Sequence, residues 1–198
     1  MKSFIKRSLV IFLFLFFSNS FKARVFVIPE AGFNLSNFSF AKDNYSATVG
    51  VGYQVGALAR LGKNAFLQTG LFYSQFSNDI TFNDSITIIT GPVTVNGLML
   101  PVELGFNLYN ADIIRIRLLA GINLAFPLNV NENVFSVDKE NFNGSNVGAA
   151  IGFGFDIFRF VMDANFSFGI NDMATFGDNN VSLNLYPFSI GYLIGDAY

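Results

Sequence analysis

The sequence predicts an all-β chain folded as an eight-stranded, antiparallel, up-and-down transmembrane β-barrel. Three observations predict it. Apolar residues alternate with small or polar ones in stretch after stretch, which gives each strand two chemically different faces. Of the 198 residues only 13% are charged and 52% are hydrophobic, 26 of them Phe, whereas a soluble domain carries about 25% charged residues. No apolar stretch reaches the ~20 residues of a membrane-spanning helix. A chain of this composition enters a membrane only through strands.

The longest apolar run, Leu9 to Phe17, follows Lys2, Lys6 and Arg7 and precedes Ser18-Asn19-Ser20. A basic start, a short apolar core and small residues at the exit predict a secretory signal peptide over residues 1–20. Residues 21–198 are then the exported barrel domain. Cleavage after Ser20 keeps small residues at both recognition positions, whereas cleavage after Ala23 would place Phe21 in one of them.

Eight strands follow in order. The first, Arg24–Asn34, sets Val27, Ala31 and Phe33 against Glu30, Gly32 and Asn34. The second, Thr48–Leu61, sets Val49, Val51, Tyr53 and Val55 against Gly50, Gly52, Gln54, Gly56 and Arg60. In the third, Ala65–Phe76, Leu67, Leu71 and Tyr73 oppose Gln68, Gly70 and Ser74, but Phe66 and Phe72 fall out of phase. The fourth, Leu98–Leu108, alternates cleanly around Met99, Pro101, Glu103, Gly105 and Asn107. The fifth, Ile114–Phe126, carries Arg115, Arg117, Gly121 and Asn123 on its second face. The sixth, Val147–Ile157, carries Gly148, Gly152, Gly154 and Asp156 there, and the seventh, Phe160–Asn171, carries Asp163, Asn165 and Ser167. The eighth, Val181–Ile194, changes phase between Leu185 and Phe188, which predicts a bulge near Pro187.

The non-apolar faces are mostly Gly, Ala, Ser and Asn. Small residues suit the crowded inside of a narrow barrel, so the rows of Phe and Leu are assigned to the outside, against lipid. The connections alternate in length. Leu35–Ala47, Ser77–Gly97, Pro127–Asn146 and Asp172–Asn180 are long and polar; Gly62–Asn64, Tyr109–Asp112 and Ile157–Phe158 are tight. Long outer loops and short periplasmic turns are the pattern of outer-membrane barrels, which places both termini in the periplasm. The last strand runs nearly to Tyr198, so no further domain is expected after it.

The chain has no Cys and no His. Their absence removes disulfide scaffolds, thiolate metal sites and His-dependent nucleophilic catalysis. No enzyme activity, cofactor or metal is expected. The inward charges are Glu30, Arg60, Glu103, Arg115, Arg117, Asp156 and Asp163. A three-residue turn at Tyr109–Ala111 would set Glu103 opposite Arg117 and Gly105 opposite Arg115. That predicts a carboxylate held between two guanidiniums, as buried charges require. A structural ion network is the simplest role for these groups; a gated polar path and a catalytic carboxylate pair are the alternatives. The glycine series Gly50, Gly52, Gly56 and Gly148, Gly152, Gly154 sits within strands with no following helix, so it is not a phosphate loop.

The outer loops are acidic, with Asp43, Asp79, Asp84, Glu132, Asp138, Glu140, Asp172 and Asp178 against Lys42 and Lys139. The stretch Asp138–Gly144 has acidic and Asn residues at calcium-loop spacing but no closing bidentate Glu, so a solvated rim is the simpler reading. No basic-aromatic patch suggests nucleic acid as a partner.

Several short segments together resemble the outer-membrane β-barrel family common in Bacteroidetes, the group that includes PorT-like and OmpX-like eight-stranded barrels. They are Ala31-Gly32-Phe33-Asn34-Leu35-Ser36, Leu67-Gln68-Thr69-Gly70-Leu71-Phe72-Tyr73-Ser74, Leu100-Pro101-Val102-Glu103-Leu104, Gly121, Gly152-Phe153-Gly154 and Gly191-Tyr192. The resemblance spans about residues 25–194. The chain departs from it at the end, where Ile194 replaces the family's Phe and Gly195-Asp196-Ala197-Tyr198 follows. The resemblance implies an eight-stranded outer-membrane barrel and transfers no catalytic residue.

The functional expectation is a small barrel with a filled polar lumen and a structural or surface-interaction role through its long loops. Its expected partners are outer-membrane lipid, the barrel-assembly machinery during biogenesis, and an extracellular or envelope protein at the loops. A narrow channel or hydrophobic-ligand transporter, an accessory to secretion or envelope assembly, and a soluble lipocalin-like carrier are the competing readings.

Overall fold

In the computed structural model, residues 25–40, 45–83, 88–111, 113–131, 133–135, 139–142, 144–176 and 179–195 are described. The expected signal peptide lies outside them. Ten strands follow in order: β1 (Val25–Phe40), β2 (Tyr45–Ala47), β3 (Gly50–Gly62), β4 (Ala65–Asn83), β5 (Ile88–Asn110), β6 (Ile114–Val130), β7 (Asn146–Ile157), β8 (Phe160–Gly169), β9 (Ala174–Phe176) and β10 (Asn179–Tyr192). The eight long strands pair antiparallel with their neighbours in the order β1-β3-β4-β5-β6-β7-β8-β10, and β1 pairs back to β10, from Glu30↔Gly191 to Phe40↔Val181. That pairing closes the sheet, so every long strand has two partners and the exposed edge of an open sheet is removed. The two three-residue strands are additions at the loop end, β2 on β4 and β9 on β10.

Tight turns join β3 to β4, β5 to β6 and β7 to β8. In the last of these, Phe158 adopts a positive φ of 59°, a conformation that suits the twist of a two-residue hairpin but is uncommon for a bulky residue. The chain's first and last described strands end on this same side, where Val27 bridges Ile194.

The opposite end differs from expectation. Ser77–Gly97 is not a loop: β4 and β5 run 19 and 23 residues and stay paired out to Asn83↔Ile88. A tilted strand crosses a membrane in about 9–11 residues, so this hairpin continues well past that span. Its chemistry changes as it does so. On the outer face of β4 and β5, Leu71, Tyr73, Leu98 and Leu100 give way to Gln75, Ser77, Thr94 and Asn96. These form cross-strand polar pairs: Gln75 Nε2 donates to Asn96 Oδ1 (3.2 Å), the Ser77 and Thr94 hydroxyls meet at 2.9 Å, and those of Thr81 and Thr90 at 3.0 Å.

The inner face changes in the opposite sense. Phe76, Ile80, Val93 and Val95 point inward and are buried, packing with Phe38, Val181, Leu183 and Leu185. Phe142, Met173 and Ala174 come in from the connecting segments to complete this cluster. The barrel is therefore apolar outside and polar inside along one stretch of its axis, then polar outside and apolar inside beyond it. The outer solvent changes, and the side-chain pattern changes with it.

This inversion corrects two expectations. The eighth predicted strand contains no bulge near Pro187: the β1–β10 register is continuous from Glu30↔Gly191 through Asn34↔Pro187 to Phe40↔Val181. Val181, Leu183 and Leu185 share the inner face with Ser189 and Gly191; only the chemistry of that face changes. Likewise Phe66, Phe72 and Phe76 are in phase with Gln68 and Ser74 on the inside of β4. The lumen accepts Phe where a neighbouring strand supplies Gly, as Gly105 does beneath the Phe66 ring. At the turn end Phe26, Ile28, Leu58, Leu119, Val161 and Leu193 are buried, so apolar side chains fill the lumen on that side too.

The native chain has no Cys, so single cysteines report water access cleanly. Leu185→Cys and Met99→Cys are expected to resist a water-soluble maleimide in the folded barrel, while Ile88→Cys, 70% exposed at the hairpin tip, labels rapidly. Fast labelling at Leu185→Cys would mean that water reaches the lumen.

Candidate functional site

Between the apolar ends of the lumen lies a belt of inward polar side chains, positioned by parity along every strand. β1 supplies Glu30, β3 Gln54 and Arg60, β4 Gln68, β5 Glu103, β6 Arg117 and Asn123, β7 Asp156, β8 Asp163 and β10 Ser189, all buried. Arg117 has no exposed surface. Its Nη2 donates to Asp156 Oδ1 at 2.6 Å and to Asp163 Oδ1 at 2.8 Å. Arg60 reaches across the barrel, with Nη1 on Asp156 Oδ2 at 3.1 Å and Nε on Gln68 Oε1 at 3.1 Å. Gln68 Nε2 passes the chain on to Asp163 Oδ2 at 3.3 Å. The Arg60 guanidinium also sits 4.9 Å from the Phe66 ring centroid, a cation–π arrangement. Two arginines and two aspartates thus form one hydrogen-bonded cluster linking β3, β4, β6, β7 and β8.

Local sequence makes room for it. Gly154 is the β7 partner of Arg117, and a Cβ there would collide with the guanidinium. Gly152 similarly leaves space for the Asn165 side chain.

The expected pairing of Glu103 with Arg117, and of Gly105 with Arg115, is not the one formed. Glu103 faces Gly121, Gly105 faces Leu119, and Arg117 faces Asn107. The cause is the turn: β5 ends at Asn110 and β6 begins at Ile114, the Ala111 N–H bonds the Ile114 carbonyl at 2.9 Å, and a register shift between Asn107 and Tyr109 leaves Leu108 as an extra residue. Removing Glu103 would therefore not strip Arg117 of its partners. Arg115 is half-buried, in register with Asp156 on β7 and Asn110 on β5.

Glu30 and Glu103 stand apart from the arginines' hydrogen bonds. Glu30 Oε2 accepts from Ser189 Oγ at 2.6 Å, and among the described residues neither Glu103 oxygen has a hydrogen-bond partner. Both line a cavity of about 20 Å³ together with Gln54, Gln68, Asn123 and Asp163. That is room for about one water molecule, and the wall is polar enough to hold one. Pro101 and Pro187 border the same cavity. Each lacks an N–H, and the β4–β5 and β8–β10 registers each skip the rungs beside their proline.

Gln68 in the cluster and Ser189 beside Glu30 are the hydrogen-bond partners that sequence reasoning did not assign. Parity puts Gln68 inward beside the charges. The supposed phase change at Pro187 hid Ser189. Among the described residues no group of three or more His, Cys, Asp or Glu is placed to hold a metal ion. In the stretch weighed as a calcium loop, Lys139–Asn141 form a 3₁₀ turn, while Asp138 and Asn143 lie outside the described residues.

A closed antiparallel sheet with alternating tight turns and long hairpins, an apolar outer band and a filled lumen defines a membrane β-barrel. Residues 17–175 match the family described as outer membrane protein beta-barrel domain, and the chain belongs to that family. Its place is the bacterial outer membrane. The curated proteins compared with it contain no match. Among solved structures, the outer membrane protein OprG from Pseudomonas aeruginosa is 14% identical with a TM-score of 0.53, covering 87% of this chain and 97% of that one. Ail, the attachment invasion locus protein of Yersinia pestis, solved in complex with the heparin analogue sucrose octasulfate, is 13% identical with a TM-score of 0.45, covering 86% of this chain and 99% of that one. The likeness to OprG is one of fold.

Breaking a buried ion pair by removing one partner costs about 3–5 kcal/mol. Arg117→Met and Asp163→Ala are each expected to lower the unfolding free energy of the detergent-folded barrel, read from urea titration, by that amount. Glu103→Gln keeps the shape without removing any arginine's partner and is expected to shift stability by less than about 1 kcal/mol. Equal losses from Glu103→Gln and Asp163→Ala would contradict this assignment.

Proposed function

We propose that the protein is a filled outer-membrane barrel whose work is done at its water-exposed hairpins, as a structural or surface-interaction protein. The observation that carries this reading is the sealed charge cluster: Arg60, Arg117, Asp156 and Asp163 are each 5% exposed or less, with apolar side chains filling the lumen above and below them. An ion crossing this lumen would have to displace packed Phe, Leu and Val as well as break charge-assisted bonds. An eight-stranded barrel has an interior just wide enough for side chains, which supports the same reading.

In this proposal the tight turns and both chain ends face the periplasm and the long β4–β5 hairpin faces outward, following the usual asymmetry of such barrels. Residues 1–20 direct export and are removed, and the barrel-assembly machinery inserts the remainder. The chain acts without catalysis, since it lacks the His on which most nucleophilic sites depend. Within the family it belongs with the PorT-like barrels of Bacteroidetes, on the strength of segments such as Leu100-Pro101-Val102-Glu103-Leu104. The hairpin's rows of Thr, Asn and Ser are suited to an extracellular or envelope protein partner. A role beside secretion or envelope assembly is compatible with this surface, and co-purification of a stable partner from cross-linked envelopes would favour it.

Planar-bilayer recording tests the filled lumen. Insertion of the purified barrel is expected to give no steady unitary currents. Reproducible single-channel steps would replace this reading with a narrow channel.

A further inference from the structure

We propose that the lumen binds one calcium ion, held between Glu30 and Glu103 in the small polar cavity of the belt. Arg60 and Arg117 are matched by Asp156 and Asp163. Glu30 and Glu103 take no part in those ion pairs, yet they are only 4% and 1% exposed. Half-buried Arg115 does not line their cavity. Two buried carboxylates without a cation are costly. The cavity wall is also rich in acceptors. Among the described residues no hydrogen-bond donor reaches Glu30 Oε1, Gln54 Oε1, either oxygen of Glu103, or Asn123 Oδ1, and Asn165 Oδ1 from the same lining is a sixth such oxygen. Gln54 and Asn123 are, like the glutamates, more than nine-tenths buried. These side chains come from β1, β3, β5, β6 and β8, so closing the barrel is what assembles the set.

The chemistry of the lining selects the occupant. Among its atoms without a partner only Asn123 Nδ2 is a donor, and a water molecule offers two more hydrogens. Six oxygens exceed that supply, and neither donor brings positive charge. A cation answers both needs. Carboxylate and carbonyl oxygens suit a hard ion rather than a soft transition metal. The volume of about 20 Å³ leaves no room for the water shell that magnesium keeps, whereas calcium takes about 6–8 oxygens directly and in flexible geometry. Its two charges equal those of Glu30 and Glu103. No three acidic side chains are arranged around a metal among the described residues; here two carboxylates are completed by amide oxygens. Since apolar side chains close the lumen on both sides of the belt, the ion enters as the barrel folds. The inference concerns the same lumen as the proposed function, but the site needs only these side chains and not the seal.

The test folds the full barrel in detergent with calcium chloride, exchanges it into EDTA and reads it by native mass spectrometry. The wild type is expected to keep one calcium, and its urea midpoint with calcium present is expected to exceed the midpoint in EDTA. Glu103→Gln is expected to weaken calcium binding about tenfold, since affinity follows ligand charge, and the double variant Glu30→Gln, Glu103→Gln to abolish it. In EDTA Glu103→Gln is expected to be nearly as stable as wild type, which separates loss of metal from loss of structure. Magnesium chloride in place of calcium is expected to leave no retained ion. A wild type with equal midpoints in calcium and in EDTA overturns the proposal. So do glutamine variants that gain as much from calcium as wild type, which would put the ion on the acidic loops. A midpoint gain in calcium with the ion lost to EDTA supports the site and counts against the sealed lumen, so the two readings fail separately.

Discussion

The Arg117 guanidinium, fully buried and shared between Asp156 and Asp163, is the constraint around which the lumen is arranged. A buried cation is tolerated only with its charge matched; Asp156 and Asp163 match it through Nη2, while Nε and Nη1 make no hydrogen bond among the described residues. Meeting that requirement fixes the inward carboxylates on β7 and β8, the glycine at position 154, and the approach of Arg60 from the far wall. Because these groups come from strands distant in sequence, with Arg60 bonding Asp156 across 96 residues, the cluster ties non-adjacent staves together across the interior. Backbone ladders alone join only neighbours.

The second organising fact is the change of solvent along the barrel axis. In the lipid-facing band the outside is apolar and the lumen can afford charge. Beyond it the outside turns to Gln, Ser, Thr and Asn, and the apolar core moves inside around Phe38, Phe76, Ile80, Leu183 and Leu185. That end thus has the pattern of a soluble barrel stacked on a membrane barrel, built from the same continuous strands. This arrangement seals the charge cluster and carries the hairpins away from the membrane surface on a packed base.

Much of this was legible in the sequence because alternation is a strictly local signal. The tight turns fall close to their expected positions and the strand starts at Ala65, Ile114 and Phe160 agree to the residue, although the expected long loop Ser77–Gly97 is paired strand. What the sequence could not show was register between strands: the β5–β6 turn falls beyond Asn110 rather than at Tyr109–Ala111, which with the extra residue at Leu108 sets Arg117 opposite Asn107 instead of Glu103. The apolar phase change at Pro187 was also real but misread, because alternation reports chemistry while the strand's two faces are fixed by geometry. A switch from lipid to water outside reverses the chemistry without any bulge. The partner set of Arg117 depends on residues up to 46 positions away, and no local pattern encodes that.

The most direct test of this account is a pair of double-mutant cycles on folding stability in detergent. One combines Arg117→Met with Asp163→Asn, the other Arg117→Met with Glu103→Gln. Residues in one ion-pair network couple by about 0.5–3 kcal/mol. The account predicts coupling in that range for Arg117 with Asp163 and near-additive behaviour for Arg117 with Glu103. Strong coupling of Arg117 to Glu103, with additivity toward Asp163, would contradict it.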